Sequence, residues 1–596
     1  MRAGAAAVQN LYRDNDRPRE QDMSAKAIDM QAAEKEKGWK RGFWSVWVTQ
    51  FQESFSDNAY RWIVIAFVTD MAVRVGFLKA LAGFLFAVPF VLFSPMGGYL
   101  ADRFSKRSVI LGTKLAEVLV MGMALGGMAM GSLPIMLAAL FLRGIQSACY
   151  SPSKFGMLPE ILPEKLLSWG NGVLELGSFA AIISGTVAGT TLYAVLSERL
   201  GYAGVILFVV TLAGVAVSST LPRVRAAGST KPFRMNPLGE LTEEWKSFRK
   251  DRTLFLAILG NTYFFLLAML LQLAVDDYGN IILNVGTERT GYLVAAIGIG
   301  IGIGSFAAGY LSGGKIEYGL IPLGAAGMTV FSILFSQGPS FATAALLLAL
   351  LGFAGGFFIV PVLAIVQHRP DPTKKGGVIA ASNQLSFIAI GAGSLLYGAL
   401  TGILNISVPG VFLLGGLMTL AATVYAIRLM PDSLLRLLVW LLVHSVYRMR
   451  IKGRDNIPAK GGALFVCNHL SLVDALLLAG STERHVRFLM YKGFYDRPLI
   501  GLIARAARAI PISSEQRPRE MIRSLRAASE AIRNGEVVCI FAEGQMTRIG
   551  QLLPFRRGFE RIMKGVDAPI VPVHLDGVWG SIFSFERGRY VWKLPR

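Results

Sequence analysis

The stretch Asn468-His469-Leu470-Ser471-Leu472-Val473-Asp474 follows one apolar run, Ala463-Leu464-Phe465-Val466-Cys467, and precedes another, Ala475-Leu476-Leu477-Leu478. A β-prone run, a polar break and a second apolar run predict strand, sharp turn and helix. On a regular helix His469 and Asp474 would be rotated about 140° apart and would share no face. They meet only if the chain bends between them, as a strand-to-helix turn allows. An imidazole held by a carboxylate at one nitrogen takes a proton with the other, the arrangement of a general base. Ser471 stands where a helix N-cap is expected.

Around this stretch, short apolar strands alternate with helices. Candidate strands are Ala463–Cys467, Val486–Met490, Ala509–Ile512, Val537–Phe541 and Ile570–His574, with a long helix at Arg517–Arg533. That alternation predicts an α/β domain with a largely parallel sheet over 461–596. No GxGxxG or Walker sequence accompanies it, so no nucleotide site is indicated. From Pro431 onward there are 26 Lys and Arg against 14 Asp and Glu, a surplus of 12 in a chain whose net charge is +21. Such a surface suits anionic membrane lipid and an acidic carrier protein.

The residues before Pro431 have a different character. Over all 596 residues, 53% are hydrophobic and 17% charged, and the mean hydropathy is +0.49. These values exclude an ordinary soluble protein and point to several membrane spans. No nucleic-acid motif accompanies the positive charge, so nucleic acid is not expected as a partner. Cys149, Cys467 and Cys539 lie in apolar runs without metal-ligand spacing, so no metal is expected. Residues 1–40 form a polar tail without a signal-peptide pattern. Residues 41–430 contain roughly twelve apolar runs long enough to span a bilayer. The polar segment Arg223–Arg252 divides them into two groups of six, the layout of a rocker-type transporter. Lys and Arg crowd alternate loops, at Arg103, Lys106 and Arg107, at Lys154 and Lys165, and at Arg369, Lys374 and Lys375. The opposite loops are nearly uncharged, so both chain ends are expected in the cytoplasm. Arg74 and Lys79 depart from this pattern. Over 431–460, a short apolar helix with Trp440 and basic flanks predicts an interfacial segment.

Gly98-Tyr99-Leu100-Ala101-Asp102-Arg103-Phe104-Ser105-Lys106-Arg107 resembles the loop signature between spans two and three of the major facilitator superfamily. A weaker copy, Gly309–Lys315, lies at the matching place in the second half. The resemblance implies that Gly98 lets helices approach, that Asp102 meets a helix end, and that Arg103 and Arg107 hold a cytoplasmic gate. Gln50–Asn58, Tyr150–Glu160, Asn171-Gly172 with Glu175, and Gln367-His368-Arg369 resemble the lysophospholipid transporters of that superfamily. Ionisable groups inside a span are costly unless paired or facing water. Glu53 and Asp57, four apart on one helical face, are therefore transport candidates, joined by Asn58 and Glu175. Asp276 and Asp277 are weaker ones. The run Gly298-Ile-Gly300-Ile-Gly302-Ile-Gly304 invites a phosphate-loop reading, but it lies inside an apolar span and predicts helix packing.

Asn468-His469 to Asp474 resembles the HxxxxD motif of glycerophospholipid acyltransferases, and Phe541-Ala542-Glu543-Gly544 resembles their FPEG motif. Arg508–Ile512 and Ile570–Val573 fall where two further motifs belong. Ala542 replaces the usual Pro, the Thr-Arg after Glu-Gly is displaced to Thr547-Arg548, and Ser513 and Ser514 stand where a substrate-binding Arg often lies. Gln545–Arg548 and Asp576–Ser581 are similar to the branch that re-acylates 2-acyl lysophospholipids.

The two resemblances together imply a multi-span major facilitator domain fused to a cytoplasmic α/β acyltransferase domain in a bacterial inner membrane. The implied reaction flips a lysophospholipid (lysophosphatidylethanolamine or lysophosphatidylglycerol) inward and restores its sn-1 chain from acyl carrier protein or acyl-CoA. No tightly bound cofactor is implied. His469 would be the base and Asp474 its orienter. Glu543, Gly544, Arg548, Asn468 and Arg508 would place the substrate. Related proteins of this branch often continue into an acyl–carrier-protein synthetase, so a third domain is expected of the natural chain. The rival readings are an unrelated exporter fused to a de novo lysophosphatidate acyltransferase, and a non-transporting membrane anchor on an acyltransferase.

Overall fold

The computed structural model describes residues 38–70, 75–230, 232, 236–482, 484–513, 518–586, 589–591 and 593. Most of the polar tail, Arg74 and Ser514 lie outside the described residues, as does the side chain of Lys79. The chain divides into two compact units, one ending at Val424 and one beginning at Tyr425.

The first unit is helical. Helices α1 (38–70), α2 (Val75–Arg103), α3 (Lys106–Ala129), α4 (Leu133–Ile161), α5 (Leu167–Leu196) and α6 (Gly201–Ser219) are followed by a short helix, α7 (Pro237–Phe248). Asn236 caps α7 by accepting from the Gly239 amide at 2.9 Å. Then come α8 (Arg252–Asp277), α9 (Gly286–Leu311), α10 (Leu320–Phe335), α11 (Phe341–His368), α12 (Lys375–Gly398) and α13 (Val408–Leu429). Among the described residues, nine of these are long and apolar enough to cross a membrane, rather than the twelve expected. At 16 residues α10 reaches only about 24 Å, short of a core about 30 Å thick. In α1 the central turns carry Gln50, Gln52, Glu53, Asp57 and Asn58.

Glycines set how closely these helices pack. In α9, Gly300 and Gly304 lie against the Ala349 and Phe353 carbonyls of α11, where a Cβ would overlap them. Gly298 and Gly302, on another face of α9, meet Phe179, Ile183 and Leu176 of α5. The alternating glycines thus serve two interfaces at once, as small residues do in membrane bundles.

The second unit opens with α14 (Pro431–Val446). Its strands are β1 (Ala463–Cys467), β2 (Val486–Tyr491), β3 (Ile510–Ile512), β4 (Val537–Phe541) and β5 (Ile570–Val573). Helices α15 (Asp474–Ser481), α16 (Lys492–Tyr495), α17 (Pro498–Ala506), α18 (Pro518–Arg533) and α19 (Gly558–Met563) intervene. The five strands form one parallel sheet in the order β3-β2-β4-β1-β5. A small antiparallel hairpin, β6 (Phe585–Glu586) with β7 (Arg589–Tyr590), follows.

All five residues of β1 are buried, because its neighbours and both covering layers are apolar. Leu464 and Val466 face Leu525, Ala528 and Ile532 on one side. Phe465 and Cys467 face Leu478 and Cys539 on the other. Leu437 and Val443 of α14 are buried, and Val443 packs with Leu470, Val473 and Leu477. The helix expected to lie flat on a membrane therefore also buttresses the turn after β1.

Gly304→Leu is expected to force α9 off α11 and to destabilise the unit by about 1–3 kcal/mol or more. Its thermal melting in detergent should fall well below that of Gly298→Ala, whose added Cβ meets its nearest neighbours at an ordinary 3.5 Å.

Candidate functional site

In the first unit a cluster of charged side chains joins three helices, with a hydroxyl from a fourth at its edge. Lys114 of α3 pairs with Glu53 of α1 and with Glu117 at 2.7 Å. Arg143 of α4 pairs with Asp57 through Nε at 2.7 Å and with Glu117 at 2.8 Å. Ser147 donates to Glu53 at 3.1 Å and to Asp57 at 3.0 Å. Gln52 donates to Glu117 at 3.0 Å, and Thr211 of α6 does so at 3.4 Å. Lys114, Glu117 and Arg143 are essentially inaccessible. Three carboxylates thus share two cations, which leaves one formal negative charge among polar donors.

Sequence reading named Glu53 and Asp57 but missed Lys114, Glu117 and Arg143. The signal was present: each is a charge inside an apolar run, tolerable only with a partner. Asn58 lies beside the cluster in the chain but bonds Ser54 O and Arg61 instead. Glu175, half-buried on α5, feels the charge of Lys154. Asp277 accepts from Tyr397.

In the last turn of α2, Asp102 accepts from the Gly376 amide at 2.6 Å and the Gly377 amide at 2.8 Å. It therefore satisfies free N–H groups at the start of α12, where the helix dipole favours an anion. Gly98 makes this possible, since a Cβ there would come within 2.7 Å of the Ala380 Cβ. Arg103 lies 5.7 Å from the Tyr99 ring centroid, and Arg107 donates to Ser219 O at 3.0 Å.

In the second unit the carboxyl ends of β1, β4 and β5 lie at one edge of the sheet. The chain leaves β1, turns, and enters α15 at Asp474. His469 Nδ1 lies 2.8 Å from Asp474 Oδ2. The same oxygen accepts from the amides of Leu470 at 2.6 Å and Ser471 at 2.9 Å. With Nδ1 bonded to a carboxylate, hydrogen-bond logic assigns the proton there and leaves Nε2 as the acceptor. The imidazole stacks on Phe541, with centroids 4.3 Å apart and planes 18° apart. Its side chain keeps 19% exposure, while that of Asp474 has none. Ser471 is not the N-cap, a place taken by Val473. Its hydroxyl donates to Ile582 O at 2.8 Å and ties the turn to the segment before β6.

The other expected site residues divide. Glu543 is buried, and its two oxygens accept from the amides of His469 at 2.9 Å and Leu553 at 3.1 Å. It positions the histidine's backbone, with both oxygens already engaged. Asn468 donates to Leu575 O at 2.9 Å and accepts from Leu575 N at 2.8 Å, so it joins β1 to the end of β5. Gly544, at φ 70°, leaves room for Arg556, whose Cδ would lie 2.8 Å from a Cβ there. Arg548 is exposed, 5.3 Å from the Phe585 ring centroid. Arg508 is misplaced as a substrate ligand. It precedes β3, at the amino edge of the sheet, and pairs with Asp432 at 3.0 Å. In parallel sheets ligands gather at the carboxyl edge, and proximity in sequence to a strand does not say which end a residue occupies. The cation missed at that edge is Arg556. Its signal was the basic pair Arg556-Arg557 in the loop after Gly544.

Among the described residues no cluster suited to a metal ion occurs. A family model of the major facilitator superfamily matches residues 54–394, more than half the chain. The chain belongs to the major facilitator superfamily. A second family model, described as acyltransferase, matches residues 448–576, so the superfamily domain is fused to an acyltransferase domain. The lysophospholipid transporter LplT of Salmonella heidelberg (strain SL476) is 29% identical over 364 residues, which cover 58% of this chain and 84% of that protein. LplT of Salmonella newport (strain SL254) is 29% identical over 368 residues with the same shares.

Among solved structures, the human organic anion transporter MFSD10 aligns with a TM-score of 0.57 at 15% identity, covering 65% of this chain and 99% of that one. FucP in the outward conformation aligns at 0.55 and 12%, covering 65% and 98%. At such identities these likenesses establish the major facilitator fold.

In this superfamily member, Arg143→Met removes the cation that Asp57 and Glu117 share. Breaking such a buried pair costs about 3–5 kcal/mol, which should appear as a lower melting temperature. Adding Glu117→Gln should recover part of the loss. In the acyltransferase domain, burial pushes the Cys467 and Cys539 thiols well above their ordinary values, with the Asp474 carboxylate adding to the effect. Neither forms thiolate at pH 8, so alkylation there is expected to leave both unmodified until denaturant is added.

Proposed function

We propose that this chain moves lysophospholipid from the outer to the inner leaflet of a bacterial inner membrane and re-acylates it at sn-1 from an acyl thioester. The observation that carries the chemical half is the His469–Asp474 pair, with Nδ1 engaged and Nε2 left to accept a proton. In the proposed reaction the free sn-1 hydroxyl gives its proton to Nε2 as its oxygen attacks the thioester carbonyl. The tetrahedral intermediate then collapses, the C–S bond breaks, and the imidazolium returns the proton to the departing thiolate. Asp474 holds the ring and stabilises its charged form. Glu543 keeps the His469 backbone in place, and Arg556 with Arg548 supplies positive charge for the phosphate. The basic surplus of this domain favours an acidic carrier protein as donor.

The transport half rests on the charge cluster around Asp57 and on the relatives named for lysophospholipid transport. A zwitterionic or anionic headgroup needs such a polar path through a bilayer. The spans not met by length and hydropathy, α1, α2 and α10, complete a set of twelve in this reading. The domains run 41–430 and 461–596, joined by an interfacial segment at 431–460. The Lys and Arg of alternate loops support a cytoplasmic acyltransferase domain in this reading. A short joint keeps the delivered lipid at high local concentration near the second active site.

The test supplies labelled lysophosphatidylethanolamine to the periplasmic side of spheroplasts. His469→Ala should take up the lipid and leave it unconverted, with acyl transfer lowered about 10²–10⁴-fold. Asp57→Asn should lose uptake and still acylate lipid offered in detergent. Full conversion by His469→Ala would sink the catalytic assignment, and undiminished uptake by Asp57→Asn the transport one.

A further inference from the structure

Helix α17 is turned inside out. Leu499, Leu502, Ile503 and Ala506, at positions i, i+3, i+4 and i+7, are exposed, while Gly501 and Ala504 are buried. An amphipathic helix of a soluble domain does the reverse and seats its large apolar side chains on the core. Here small residues make the inner contact: Gly501 lies against the Tyr495 carbonyl, where a Cβ would overlap it. Leu499 is 81% exposed, as open as Leu119 of α3 at 77% and Leu395 of α12 at 78%. Those two lie on helices long and apolar enough to cross a membrane.

The outer face of α14 adds to this surface. Leu438, Leu442 and Val446, spaced i, i+4 and i+8, are exposed, whereas Leu437 and Val443 are buried. The two helices touch, and Arg508, just beyond α17, pairs with Asp432 in the first turn of α14 at 3.0 Å. The crossovers through α15 and α17 step along the sheet in one direction, and those through α18 and α19 in the other. Right-handed crossovers of opposite direction lie on opposite faces of a sheet. On the far face α18 presents Arg519, Arg523 and Arg526, and its one exposed large apolar side chain is Ile522.

The course of the chain says what covers α14 and α17. The second unit begins at Tyr425, inside α13, a helix long and apolar enough to cross a membrane. Met430 alone separates α13 from α14, and two peptide links span at most about 7 Å. The start of α14 is therefore held where the chain leaves the bilayer, and α17 is held to α14. From Lys492 to Arg508 the charged residues are Lys492, Asp496, Arg497, Arg505 and Arg508, four cations to one anion. A stripe of large apolar side chains flanked by cations is the pattern that seats a helix in an anionic lipid surface.

We propose that α17 is a second membrane-seated element of the acyltransferase domain. Leu499, Leu502 and Ile503 enter an anionic leaflet beside α14, with Lys492, Arg497 and Arg505 at headgroup level. Because α17 follows β2, it starts from the carboxyl edge of the sheet, the edge that holds His469. Seating it in lipid keeps that edge at the bilayer surface, where a lysophospholipid is met without leaving the membrane. The inference rests on the interfacial reading of 431–460 and on the acyltransferase reading above.

The test places the full chain in nanodiscs containing phosphatidylglycerol. A bimane fluorophore is attached to one introduced cysteine, with the unaltered chain treated alike as the blank. Quenching by nitroxide-bearing lipid is measured for Leu499→Cys and Leu502→Cys, and for Arg523→Cys on the far face. Strong quenching at 499 and 502 with little at 523 is expected. No quenching at 499 and 502, the result if a protein surface covers α17, overturns the proposal, and so does equal quenching at all three. Leu502→Glu combined with Ile503→Glu should lower acyl transfer to lysophosphatidylethanolamine in nanodiscs about tenfold and leave transfer to the same lipid in detergent unchanged. Leu502→Ser with Ile503→Ser should act in the same direction, should the charged pair fail to fold. Undiminished transfer in nanodiscs by both pairs overturns the role of α17. No transfer by the unaltered chain in either setting sinks the acyltransferase reading, and the quenching then decides the placement of α17 by itself.

Discussion

One buried oxygen, Oδ2 of Asp474, accepts from an imidazole and two backbone amides. A carboxylate without solvent is tolerable only when such donors replace its water. The three bonds therefore depend on one another: the charge needs the donors, and the turn needs the charge. That mutual need closes the chain between β1 and α15 tightly enough to bring two residues five apart into contact. Phe541 from β4 and Glu543 beyond it add a stacking surface and an amide contact. Val443 of α14 packs the outside of the same turn. The carboxyl edge of the sheet is thus assembled by elements distant in sequence that converge on one strand end.

The same physics governs the first unit on a larger scale. Lys114, Arg143, Glu53, Asp57 and Glu117 would each be expensive alone in a bilayer. Distributed over α1, α3 and α4, they make those helices mutually dependent. Removing one leaves others uncompensated, so the cluster ties the positions of those helices together. Asp102 does comparable work between α2 and α12 by occupying two helix-start amides. Gly98 matters there because the anion cannot reach them unless the backbones nearly touch.

Much of this was legible in residue order. Alternating apolar runs and turns located the strands of the second unit to within a residue or two, because a buried parallel strand must be apolar along its length. The glycine run of α9 was separable from a phosphate loop because its surroundings were apolar. The number of membrane-crossing helices was harder. In α1 charged and polar side chains interrupt the apolar run, whereas α10 is apolar but only 16 residues long. Arg508 was misassigned because a residue before a strand and one after it look alike in one dimension, although they occupy opposite edges of the sheet.

By itself the sequence determined the composition of each unit, the period of its elements and the chemical types in its motifs, since these depend on neighbours along the chain. Tertiary structure alone decided which charges pair, that Glu543 and Asn468 hold backbone, and that Arg556 lies beside Gly544 at the carboxyl edge of the sheet. Pairing energy depends on distance and burial in three dimensions. Residues 94 positions apart, such as Ser147 and Glu53, carry no sign of their contact until the helices between them have packed.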